Sequence, residues 1–147
     1  MDIYIAGALA GIIGGLVIAA VGMVYRASTG GGFWTFPNAI GGVALGPEAG
    51  GTRSFGLATL TGVTLHVILS AIYGIATVLI ARQLGVNYIV VGVVFGIAVW
   101  AVNYVGIASV HAGSRGLAKL NPVSMTVGLH VIFGAVTGLA ALSLVAK

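Results

Sequence analysis

The chain has 147 residues, 59% of them hydrophobic and 5% charged, with six Lys or Arg against two Asp or Glu. Soluble domains carry about 25% charged residues, so this composition excludes a water-covered globule and points to bilayer-spanning runs. The net charge of +4 is scattered, which excludes a nucleic-acid tract, and the lack of cysteine excludes disulfides, thiolate metal sites and cysteine nucleophiles.

The first apolar run covers about residues 3–25. Asp2 precedes it and no Lys or Arg does, so it reads as a retained helix rather than a secretory signal, which has a basic start. Gly7, Gly11, Gly15 and Ala19 recur every fourth residue along it. Small residues at that spacing let helix backbones approach closely where lipid is as apolar as Leu.

Residues 26–56 form the long first loop, "GGGFWTFPNAIGGVALGPEAGG" at its centre. Phe33, Trp34 and Phe36 read as aromatics at headgroup level. A short helix lying in the interface is expected from Pro37 to about Leu45, within an otherwise flexible connection. The glycines do not make a phosphate loop, because no Gly-Lys-Ser/Thr and no preceding strand accompany them. A docking surface for a partner subunit is the alternative role.

The second span covers about residues 57–81, and "RQLGVN" ties it tightly to a third at about 88–108. Gly62, His66, Ser70 and Gly74 share one stripe of the second, and Gly92 and Gly96 lie one turn apart in the third. Trp100, Asn103 and Tyr104 are the polar or aromatic residues at depth there, with Asn103 expected to hydrogen-bond across helices. Loop 109–121 carries His111, Arg115 and Lys119. It reads as a solvated loop that sets topology, or as a contact to anionic headgroups. The fourth span covers about residues 122–146, with Asn121 expected to cap it and Pro122 at its first position. Thr126, His130, Gly134 and Gly138 line its stripe.

"LHVILSAIYGIA" at 65–76 returns as "LHVIFGAVTGLA" at 129–140, an offset of 64 with seven of twelve positions identical. The first and third spans match more weakly, Gly7 and Gly11 with Gly92 and Gly96, Asp2 with Asn87. The expected fold is therefore all-α: a polytopic four-transmembrane-helix bundle, one transmembrane domain, built from two tandem helical hairpins in parallel orientation. His66 and His130 should lie at one depth.

Three roles compete for that histidine pair. Each imidazole can hydrogen-bond across the bundle, with Ser70, Thr61, Thr64, Thr126 and Asn103 within the spans as partners. The pair can be the axial ligands of a b-type haem, the glycines giving room for the porphyrin. It can serve a proton or solute path, although no acidic residue lies in any span. Two histidines without carboxylates or thiolates are a poor zinc set, so no metal site is expected. Two carboxylates, both near water, make no buried acid–base pair, and no nucleophile has an orienting group and an oxyanion site. The chain does not read as an enzyme.

The order of "FWTFPNAIGG", "GVTLHVILSAIYG" and "NPVSMTVGLHVIFGAVTG" resembles small uncharacterised prokaryotic four-helix integral membrane proteins. The resemblance covers nearly the whole chain and implies a fold and a membrane location, with no activity attached.

The functional expectation is a non-catalytic membrane subunit, partnered by the lipid bilayer and by other membrane subunits or copies of itself, within a respiratory or other redox complex. It carries no cofactor in this reading and binds no nucleic acid. A small b-type cytochrome is second and transport third. Arg26 and Arg53 in loop 26–56, with Arg115 and Lys119 in loop 109–121, outnumber Arg82 and Lys147 opposite. That favours both loops in the cytoplasm and both termini outside, and the resemblance implies that the membrane is a prokaryotic plasma membrane.

Overall fold

A computed structural model describes residues 1–145; Ala146 and Lys147, the end of the expected fourth span and one of its opposite-side cations, lie outside the described residues. The described chain is helical, without a strand. In order it holds α1 (Ile3–Ser28), α2 (Thr35–Leu45), α3 (Pro47–Gly50), α4 (Leu57–Leu84) and α5 (Tyr88–Trp100). A π-helical segment (Ala101–Ile107), α6 (Ala108–Val110), α7 (Ala112–Leu120) and α8 (Val123–Val145) follow.

Four stretches are long and apolar enough to cross a membrane: Ile3–Ser28, Leu57–Leu84, Tyr88–Val110 and Val123–Val145, of 26, 28, 23 and 23 residues. At about 1.5 Å per residue each exceeds the roughly 30 Å hydrocarbon core. These helices support a membrane location.

The residues group into two compact units, the first formed by Met1–Ile18, Val67–Val99 and the chain from Val127. Asp2 starts it: its Oδ1 accepts from the amides of Tyr4 (2.9 Å) and Ile5 (3.2 Å), satisfying donors that a helix start leaves orphaned. Ala6, Gly7, Ala10, Gly11 and Gly14 of α1 are buried, whereas Tyr4, Leu9, Ile13 and Leu16 face outward. That outward apolar face suits lipid.

Glycines set the contacts inside this unit. A Cβ on Gly7 would lie 2.7 Å from Ile75 Cα, and one on Gly74 would lie 2.5 Å from Gly11 Cα, so α1 and α4 meet backbone to backbone. A Cβ on Gly92 would meet the Gly134 carbonyl, and one on Gly138 would lie 2.5 Å from Ile89 Cα, which closes α5 onto α8 in the same way. Gly14 lies against Phe133 and Thr137. Ala10, Val78 and Ala141 are fully buried at the centre, with Tyr88 and Leu144 against them.

The α4–α5 turn is short because its chemistry is complete. Gly85 takes φ 65°, which frees Val86 N–H to reach Ala81 O at 3.0 Å and Gly85 N–H to reach Arg82 O at 3.4 Å. That double closure is a Schellman end, and glycine is the residue that adopts its left-handed position without strain. Asn87 then caps α5 by accepting from the Ile89 amide at 2.8 Å.

The second unit, Ala19–His66 and Trp100–Thr126, contains both long loops. The first loop is folded rather than a loose connection. Its α2 starts at Thr35, two residues before the expected Pro37, and Thr35 through Ala39, Gly41 and Gly42 are buried. A Cβ on Gly62 of α4 would lie 2.8 Å from Gly41 N, and one on Gly113 of α7 would lie 2.9 Å from Val43 Cα. So α2 packs against α4 on one side and α7 on another.

Phe36 is buried within the protein, unlike the exposed Phe33. It is 4% exposed, and a Cβ on Gly22 would stand 2.8 Å from its ring, so the missing side chain at Gly22 is what admits Phe36 to the interior. Asn121 departs from its expected capping role. Its backbone is extended (φ −129°, ψ 156°), but its side-chain oxygen is buried without a hydrogen bond instead of capping α8. The first turn there is closed by Thr126 N–H to Pro122 O at 3.1 Å.

Candidate functional site

The polar groups of the second unit centre on Asn38, which is fully buried in the first turn of α2. Its Nδ2 donates to Thr52 O (2.9 Å), Thr52 Oγ1 (3.0 Å) and Ser54 O (2.9 Å). Its Oδ1 accepts from Thr59 Oγ1 at 2.5 Å, and that hydroxyl accepts from Gly56 N–H at 3.1 Å. One amide thereby ties α2, the strandless run 52–56 and the start of α4 together. Both ends of the amide, its NH2 and its carbonyl oxygen, are hydrogen-bonded, which is what makes a buried amide tolerable.

His111 is the second node. It is the N-cap of α7, and its Nδ1 accepts from Ser114 N–H at 3.2 Å, three residues on, with Ser114 Oγ 3.1 Å away. Arg115, one residue further, turns back: Nε donates to Ala108 O (3.2 Å) and an Nη donates to Ser109 O (2.9 Å). A cation on the last carbonyls of a helix complements both its orphan acceptors and its dipole. His111→Ala should therefore cost about 1 kcal/mol of stability and His111→Asn should restore most of it, read as melting temperature of the purified protein. Equal melting of His111→Ala and wild type would deny the cap.

The third span does not run as one regular helix. Residues 101–107 widen into a π-helix that holds Asn103 and Tyr104. Trp100 makes a hydrogen bond across helices at this level: its Nε1 donates to Thr126 Oγ1 at 3.0 Å, and Thr126 Oγ1 donates to Val123 O at 2.9 Å. Trp100 and Tyr104 stack with centroids 6.3 Å apart at 16°.

The two histidines fall in different units, and each is half-buried. His66 lies one turn after Gly62 on α4, its ring edge-on to Phe36 with centroids 6.5 Å apart. His130 sits on α8 where Gly96 closes against its backbone, a Cβ there falling 3.3 Å from the His130 carbonyl carbon. Both histidines are engaged by other groups of the protein. Gly15, the remaining glycine of the α1 stripe, is buried.

Among the described residues no three His, Cys, Asp or Glu side chains gather as a metal would need. A cleft of about 160 Å³ lies between α2, α3 and α7, lined by Ala39, Gly42, Pro47, Gly50, Gly113 and Leu117 among others. Pockets for drug-sized ligands run from roughly 300 Å³ upward, so a porphyrin does not fit in it.

Neither Asn38 nor His111 as a cap stands out in the sequence. The Pro-Asn pair at the head of α2 and the His-x-x-Ser spacing before α7 were the available signals. The π-segment left none.

Compared with known proteins, the chain matches no family model, no curated protein and no solved structure.

Proposed function

We propose that this chain is a non-catalytic integral membrane subunit that packs within a larger membrane assembly, either beside other subunits or as a homo-oligomer. The observation that carries this reading is how its side chains are used. Asn38, Thr59, His111, Arg115, Trp100 and Thr126 all hold the chain to itself, and the glycine faces are closed by neighbouring backbone. Most of what faces outward along the spans is apolar, as at Leu16, Ile72, Val94 and Leu139. Lipid or another helix covers such a face equally well. A redox complex is the host we favour.

The tandem-hairpin reading draws support from the contacts, with one change of register. Gly11 meets the Ser70 carbonyl and Gly92 meets the Gly134 carbonyl; Gly74 meets the Gly7 carbonyl and Gly138 meets the Tyr88 carbonyl. Both pairs agree if α4 maps to α8 with the offset of 64 and α1 maps to α5 with an offset of 81. The caps Asp2 and Asn87 differ by 85, one helical turn more, so the Gly7–Gly92 alignment is set aside. The cations Arg26, Arg53, Arg115 and Lys119 all belong to the second unit, which favours its loops on the cytoplasmic side of a prokaryotic plasma membrane.

A b-type haem held by His66 and His130 is the second reading, favoured by two half-buried histidines on spans. Against it, Gly92 and Gly96 are already filled by the backbone of Gly134 and His130. Transport ranks third and would show as flux in liposomes lost on His66→Ala.

Gentle extraction from native membranes, followed by mass determination of the particle, tests the subunit reading. A particle several times the 14.6 kDa chain beyond its detergent, containing partner chains or further copies, is expected. A stable monomer with nothing attached would overturn it.

A further inference from the structure

The first loop brings two arginines to one turn. A Cβ on Gly31 would lie 2.5 Å from Arg26 Cζ and 2.6 Å from its Nε, so the guanidinium rests on the bare backbone of Gly31. A Cβ on the next residue, Gly32, would lie 3.6 Å from Arg53 Cβ. Any larger residue at Gly31 would displace Arg26. Thr35 Oγ1, donating to Gly31 O, holds the turn against the start of α2.

This charge is poorly met within the chain. An Nη of Arg26 donates to Leu120 O at 3.3 Å, and its Nε is buried without a partner. The unit holds four cations, Arg26, Arg53, Arg115 and Lys119, against one carboxylate, Glu48, which is exposed on α3. The chain's other carboxylate, Asp2, caps the opposite end of the helix that carries Arg26. A partly buried guanidinium without a counter-charge is costly, and its fork of donors matches phosphate.

An aromatic cluster adjoins the same turn. Trp34 lies edge-on between Phe33, at 5.0 Å, and Phe55, at 5.1 Å. Phe33 and Phe55 are 45% and 57% exposed, and they follow directly on Gly32 and two residues after Arg53. Exposed aromatic rings beside cations form an amphipathic surface suited to the boundary between headgroups and acyl chains. A soluble anion would use the cations and leave the rings idle.

We propose that Arg26, Arg53 and the Phe33–Trp34–Phe55 cluster bind the headgroup of an anionic phospholipid, the arginines on its phosphate and the rings along its glycerol and upper acyl chain. The site is independent of whether the protein is a subunit.

The test titrates purified protein in neutral detergent with tail-labelled phosphatidylglycerol and, separately, phosphatidylcholine, reading fluorescence anisotropy. Wild type should prefer phosphatidylglycerol by an order of magnitude, since each basic residue near an anionic headgroup contributes about fivefold. Arg26→Gln and Arg53→Gln should each lower that preference about fivefold. Phe55→Ala should weaken both lipids, and Arg82→Gln, a cation of the other unit, should change neither. Arg53 is exposed, so Arg53→Gln decides the matter if Arg26→Gln elutes as aggregate. Equal binding of the two lipids, an undiminished preference in Arg53→Gln, or displacement of the labelled lipid by inorganic phosphate would each overturn the proposal.

Discussion

Gly11→Val is expected to destabilise the protein by about 3 kcal/mol, at the upper end for an overpacked site. A Cβ at residue 11 would stand 2.8 Å from Gly74 Cα and 2.9 Å from Gly74 N, and it would press on the Ser70 carbonyl. These are main-chain atoms inside a helix, so none can swing away as a flexible side chain would. The helices α1 and α4 would have to move apart, and the Gly7–Ile75 contact would be lost with them. No burial of new apolar area compensates, because in lipid a valine gains nothing by leaving the hydrocarbon. Gly128→Val is the control: nothing lies within 4 Å of the Cβ position there, and stability should hold. Melting followed by the monodisperse fraction in detergent separates the two. Equal melting of Gly11→Val and Gly128→Val would mean that the small residues of α1 are not at a helix contact.

Asn38→Ala should cost a similar amount, about 3 kcal/mol, because a buried group left without its partner costs roughly 1–3 kcal/mol and this side chain serves several. The substitution strips Thr52 O and Ser54 O of their donor and removes the acceptor of Thr59. Asn38→Asp discriminates between lost volume and lost hydrogen bonds. It keeps the acceptor for Thr59 but places a carboxylate against two carbonyls, so it should destabilise at least as much as the alanine. The damage should be local to the second unit, with protease cleavage rising within residues 46–56 before global melting. An Asn38→Asp protein as stable as wild type would remove the network from the account.

The four spans were legible in the sequence because a chain this apolar leaves long uninterrupted runs, and the breaks at Gly85 and Pro122 are local chemistry. The glycine stripes were legible as packing faces, since four-residue spacing identifies a face. Which helix each face meets was not, because that depends on pairing across the fold: α1 closes on α4 and α5 on α8. The first loop was the least legible part. Glycine-rich composition suggests looseness, yet each glycine of α2 admits a neighbouring helix, Gly41 for Ala58 and Gly42 for Gly50. Phe36 looked like its neighbours Phe33 and Trp34, and only the absent side chain at Gly22 distinguishes it. The histidines were conspicuous because they repeat, while Asn38 and His111, whose hydrogen bonds tie the second unit together, do not.

The proposed subunit role implies that the conspicuous residues of this chain, its glycines and its histidines, hold helices together rather than a cofactor. An absorption spectrum of the protein extracted from its native membrane, oxidised and then reduced with dithionite, tests it most directly. The account expects no Soret, α or β band when haem is plentiful during expression, and wild-type spectra from His66→Ala and His130→Ala. A Soret band with sharp reduced α and β bands, lost on either substitution, would contradict it and make the pair axial ligands.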